Sequence, residues 1–143
     1  MKRFAAFCLA TLALALPSSA QDYCSSLAIS SVADDVRPYQ TVTIAVEKSI
    51  PDAPVFLVVG PTLGKTTISL RGQGSLILDL ASPYRTYLFG AADAQGDLSR
   101  SVIVPINRGL TLHAQAVSVL MTRNPSGKRM IETCTSNPVT FEL

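Results

Sequence analysis

The residues of this chain that most resemble a reactive motif lie at positions 55–70, VFLVVGPTLGKTTISL, where an apolar β-branched run leads into Gly-Lys-Thr. A phosphate-binding loop needs four residues between its first glycine and the Gly-Lys-[Ser/Thr], so that its amides wrap a phosphate at a fixed radius. Gly60 and Gly64 are separated by three, Pro61, Thr62 and Leu63. The loop also needs a helix straight after it, to present amides and a dipole. Residues 66–70, TTISL, alternate as a strand does and then break at Arg71-Gly72. The spacing and the continuation both exclude a nucleotide site. They predict a core strand over 55–59 and a bent connection over 60–64.

His113 is the single histidine, so a Ser-His-Asp hydrolase would have to use it. No Gly-x-Ser-x-Gly elbow accompanies it. Its alternation partners, Thr111 and Gln115, place it toward solvent or a rim. Asp34 and Asp35 fall in an expected loop, and Asp93 and Asp97 flank a turn, without the Asp-x-Asx-x-Asx-Gly run of a calcium loop. Turn formation is the expected role of these carboxylates. Nothing pairs two carboxylates as a glycosidase requires. Tyr84, Tyr87 and Phe89 cluster in SPYRTYLFG, and with no tryptophan a sugar-stacking platform has little support. Alternation exposes Tyr84 opposite the Tyr87/Phe89 face, which makes Tyr84 with Arg85 a candidate binding patch. Arg123, Lys128 and Arg129 crowd a second candidate patch at one hairpin tip. A basic tip is either a solvated loop or an interaction site. No residue set points to a cofactor or a metal, since two cysteines and one histidine do not complete a tetrahedral shell.

The segments that must position these residues begin after residue 20. Lys2 and Arg3 precede thirteen apolar residues at 4–16, and small residues stand at Ser18 and Ala20. This is the pattern of a secretory signal cleaved after Ala20. The run is short of the roughly 18 apolar residues of a membrane span. Neither Cys8, after Phe7, nor Cys24, after Tyr23, sits in a lipoprotein box. The expected product, residues 21–143, is secreted or periplasmic, has no transmembrane segment and suits a single domain. Without Lys2 and Arg3 it carries ten basic and ten acidic residues. That balance gives no reason to expect nucleic acid or an anionic membrane as partner. Cys24 and Cys134 remain after cleavage, and in an oxidising compartment they most simply form one disulfide. It would close a loop of about 110 residues, a cross-link of roughly 4–5 kcal/mol in the chain-entropy model. It would also bring the first and last strands side by side.

Period two recurs along the rest of the chain, and no long stretch has a helical period. Strands are expected at 26–32, 40–47, 54–59, 65–70, 75–80, 84–91, 98–104, 110–121 and 129–142, the last split by Pro138. The apolar phase shifts near Ala116-Val117, which suggests a bulge or a change of face. Glycine turns at 71–75, 93–96 and 124–127 read as hairpins. Eight or nine short antiparallel strands with this spacing fit one immunoglobulin-like or fibronectin-like β-sandwich, with a β-barrel as the alternative.

Several stretches also carry a family resemblance: PDAPVFLVVG at 51–60, AADAQGDLSRSVIVPI at 91–106, GLTLHAQA at 109–116 and TSNPV at 135–139. Together the chain resembles a secreted β-sandwich domain of unknown function, common in exported proteins of planctomycetes and other Gram-negative bacteria. The resemblance implies an exported module and brings no catalytic residues. The expected function is a non-catalytic module with a structural, adhesive or protein-binding role, its partner a protein or an envelope or matrix component. The alternatives are a small hydrolase using His113 and a periplasmic inhibitor or chaperone.

Overall fold

The computed structural model describes residues 23–143 except 35 and 108. The signal-peptide reading, Cys8 and Asp35 therefore lie outside the described residues. The described chain is all β. Its ten strands are β1 (Ser26–Ala33), β2 (Tyr39–Glu47), β3 (Pro54–Gly60), β4 (Leu63–Ser69), β5 (Ser75–Leu80), β6 (Arg85–Ala91), β7 (Leu98–Pro105), β8 (Thr111–Arg123), β9 (Arg129–Thr135) and β10 (Val139–Glu142). The count exceeds the expected eight or nine because 129–142 is two strands, parted around Pro138, which has no N–H to give a ladder.

Three antiparallel sheets stack as layers. One has the order β1-β2-β7. The central one has the order β10-β8-β3-β6, with β9 also on β8, and the third is the β4-β5 hairpin. The central sheet is covered on both faces, and its sequence shows why. In β3, Val55 and Leu57 enter the main core with Leu27, Val42, Ile44 and Val46 of the facing sheet. Val58, of opposite parity, enters a second core with Leu78, Leu80 and Val117 under the hairpin. Leu78 and Leu80 are almost wholly buried, each contributing roughly 1.5–3 kcal/mol.

Double coverage also explains the phase shift in β8. Its register against β3 is unbroken from Gly60↔His113 to Val55↔Ser118, so the expected bulge is absent there. Ala114 and Ala116 face the main core, whereas Val117 faces the second. A strand buried on both sides loses its alternation without bending. The irregularity lies instead between β3 and β6, at Val55/Phe56, where Phe89 is the extra residue.

The turn at 93–96 is not a hairpin. It joins β6 of the central sheet to β7 of the three-stranded one. The local turn chemistry is as expected, with Gly96 N donating to Asp93 O at 3.0 Å. Local chemistry makes the turn, but the partners of the flanking strands decide whether it closes a hairpin. The turns at 71–75 and 124–127 do close hairpins, β4–β5 and β8–β9.

Cys24 and Cys134 are bonded, with their Cα atoms 5.6 Å apart. The first and last strands are not ladder neighbours, however. The chain ahead of β1 meets the break between β9 and β10 through an isolated parallel bridge, Ser25↔Ser136. Asn137 completes this junction. Its Oδ1 accepts from Leu27 N at 3.1 Å, and its Nδ2 donates to Leu27 O at 3.4 Å. An amide side chain here replaces a missing strand partner across two layers.

Candidate functional site

The Gly-Lys-Thr stretch has a structural role. Residues 61 and 62 turn the chain from β3 into β4, and strand begins at Leu63, two residues ahead of the expected start at 65. Lys65 reaches the Asp79 carboxylate across the β4–β5 pair. Thr66 Oγ1 donates to Leu80 O at 2.7 Å. Gly64 is needed for packing, because a Cβ there would stand 2.7 Å from that of Ala81.

Asp79 is the centre of a polar cluster that alternation conceals. Tyr23 Oη donates to its Oδ2 at 2.5 Å, and Lys65 binds its Oδ1. Gln115, fully buried on β8, accepts from Asp79 N at 2.9 Å. Its Nε2 donates to Asp79 Oδ2 at 3.5 Å and to Ser136 O at 2.8 Å. Burial opposes ionisation of Asp79, but hydrogen bonds from Lys65, Tyr23 and Gln115 outweigh it and hold the carboxyl below its ordinary range. Burial, then the bond to Asp79 and its charge, push the Tyr23 phenol up to about 12. A perturbed carboxylate marks a candidate site when it faces a cleft. Here its partners tie the chain before β1, the β4–β5 hairpin and β8 together, so the cluster works as a fastening.

The other reactive side chains are likewise engaged. His113 Nδ1 bonds Thr140 Oγ1 at 2.8 Å across the β8–β10 pair, and the ring is half-buried. Asp93 Oδ1 accepts from Gln95 N and Asp97 N, at 2.9 and 2.8 Å. Asp97 Oδ1 accepts from Lys48 N at 3.1 Å. These carboxylates cap backbone amides, as turn-forming aspartates do. Among the described residues no three His, Cys, Asp or Glu side chains are grouped to hold a metal ion. No helix among them is long and apolar enough to cross a membrane.

The candidate patch residues separate into two places. Tyr84 and Arg85 stand at the start of β6, in a cleft of about 490 Å3 with Val59, Gly60, Pro83, Tyr87 and Leu112. Tyr84 is not exposed as alternation implied. It packs against the second core, whereas Tyr87 is 51% exposed. The cause is the β4–β5 hairpin, which covers the face that Tyr84 points to. A smaller apolar cleft of about 160 Å3 opens on that side of the sheet, lined by Phe56, Ile68, Leu76, Tyr84, Thr86 and Val119 among others.

Arg123, Lys128 and Arg129 are exposed at the β8–β9 tip. Arg85 shares a row with Val59 and Ala114, and Arg123 lies nine residues further along β8, about 30 Å away at strand rise. The two patches are therefore separate surfaces. Lys128 and Arg129 line a third cleft, about 350 Å3, with Gln73, Asn124, Met130 and Ile131. Gln73 belongs to the β4–β5 turn. Nothing local in the sequence marks Gln73, because neither hairpin by itself shows that the two tips meet.

Compared with protein-family models, with curated proteins and with solved structures, the chain matches none.

Proposed function

We propose that this chain is an exported, non-catalytic, immunoglobulin-like module that binds an extended protein segment along the free edge of β6. The strand order, β1-β2-β7 facing β10/β9-β8-β3-β6, supports the immunoglobulin-like reading. The disulfide fits an oxidising compartment, and so supports export.

One observation carries the binding surface. Among the described residues β6 pairs with β3 alone, and the chain at its start lines a cleft on each face of the sheet. Tyr84, Arg85 and Tyr87 line the larger, and Tyr84 and Thr86 the smaller. Tyr87 and Leu88 leave 51% and 69% of their surface to solvent. An added strand takes main-chain hydrogen bonds from such an edge and sets alternate side chains into such clefts. Arg85 is the charged residue of the larger lining and the smaller lining has none, so the preferred segment alternates acidic and apolar side chains.

Selection of displayed random peptides tests this. Enrichment of alternating acidic and apolar sequences, with the charge preference reversed by Arg85→Glu, is the expected result. Enriched peptides that bind away from 84–91 would reject the edge. Activity-based profiling of wild type beside His113→Ala tests the non-catalytic reading separately, and a genuine activity lost in that variant would reject it.

A further inference from the structure

A different surface lies at the opposite end of β8. The tips of the β4–β5 and β8–β9 hairpins are held together by one side chain. Gln73 Nε2 donates to Arg129 O at 2.6 Å, and Gln73 Oε1 accepts from Ile131 N at 2.5 Å. This brings Arg71, two residues before Gln73, to the end that already carries Arg123, Lys128 and Arg129. Across 69–75 and 119–133 these four cations face one carboxylate, Glu132. The remainder of residues 21–143 is therefore net acidic, so the imbalance is local.

The backbone that carries these cations is held by its own turn. Asn124 Oδ1 accepts from Lys128 N at 2.8 Å, and Gly127 N donates to Asn124 O at 2.8 Å, which sets the tip. Arg123 and Arg129 are direct cross-strand partners. Like charges so placed repel, and an anion lying between them removes the cost. The cleft beside them is lined by Lys128 and Arg129 and by the amide-bearing Gln73 and Asn124. Guanidinium forks with an ammonium and side-chain amides match tetrahedral oxyanions. We propose that the two hairpin tips form a binding site for a soluble polymer that bears many phosphate or sulfate groups.

The test uses sodium polyphosphate and heparin as probes, titrated at low and at physiological salt, with phosphatidylglycerol vesicles as the membrane arm. Both soluble probes bind wild type, and binding weakens as salt rises, because counterions are released. Lys128→Gln with Arg129→Gln lowers affinity about tenfold or more, by loss of two charge-assisted contacts. Arg37→Gln with Arg100→Gln changes net charge equally, away from the tips, and leaves affinity within about twofold. Gln73→Ala keeps every cation but releases the clasp, and weakens binding as well. Amide shifts on probe addition to wild type fall at 71–73 and 123–131, a readout that needs no variant to fold. Failure of both soluble probes to bind, binding to vesicles alone, equal loss in the two double variants, or shifts centred elsewhere would each overturn the site.

Discussion

Gly96 shows how much one residue can be required to do. Its φ is +86°, and a Cβ there would stand 2.2 Å from Ser49 O. Ser49 N and Oγ both donate to Gly96 O, at 2.9 and 2.7 Å, so the close approach is held by two bonds to one carbonyl. Gly96→Ala is expected to destabilise by about 2–4 kcal/mol, the left-handed backbone and the clash adding; chemical denaturation measures it. The Asp79 cluster sets a pH dependence with two edges. Asp79 has a lowered pKa, so its contribution is present above the unfolded value of 3.8 and is lost as pH falls through the lower folded one. Tyr23 is raised from 10.0 to about 12, so its contribution is complete below 10 and is lost as pH rises toward 12. Asp79→Asn is expected to flatten the acid side of a melting-temperature profile and Tyr23→Phe the alkaline side. Because Lys65 is 63% exposed, Asp79→Asn should cost only about 1–2 kcal/mol near neutral pH. An unchanged acid limb in Asp79→Asn would count against the cluster. Sequence alone hides Asp79: in SLILDL it shares parity with the exposed Ile77, and only Tyr23 and Gln115, arriving from distant segments, bury it.

The strands themselves were legible. Period two locates them to within a residue or two, because each has at least one face against a core. What alternation does not carry is which sheet a strand joins. The 93–96 turn has hairpin residues yet crosses between layers, and β8 loses its alternation because a third layer covers it. The basic tip could be read from Arg123, Lys128 and Arg129, whereas Arg71 and Gln73 could not, since their approach depends on how one hairpin lies on another sheet. Gln73 also covers part of the outer edge of β9, whose unpaired backbone groups would otherwise invite strand addition. Gln73→Ala should cost about 1 kcal/mol or less, as both bonds lie near solvent. It should raise hydrogen exchange at Ile131 and promote self-association on sedimentation. Unaltered exchange at Ile131 would mean the clasp is open in solution.

Across the whole molecule, the Cys24–Cys134 bond fixes the chain before β1 to the root of the β8–β9 hairpin. Around that root, Ile50, Ala53 and Leu120 pack with the buried Cys134. Intact mass should rise by two hydrogens on reduction, and Cys24→Ser with Cys134→Ser should cost about 2–5 kcal/mol. The bond also sets how the protein bears load. Its two cysteines are 110 positions apart, so a pull applied at Tyr23 and Leu143 passes through the bond and acts first on Tyr23 and on residues 135–143. In the oxidised protein the load falls on the β10–β8 pairing, on the Ser136 and Asn137 bonds to β8 and β1, and on the Tyr23–Asp79 bond at the other end. Reduction would release a hidden length of roughly 360–400 Å, a difference that force spectroscopy with and without reductant reads directly. Between those two points the chain is short while oxidised and long and extensible once reduced.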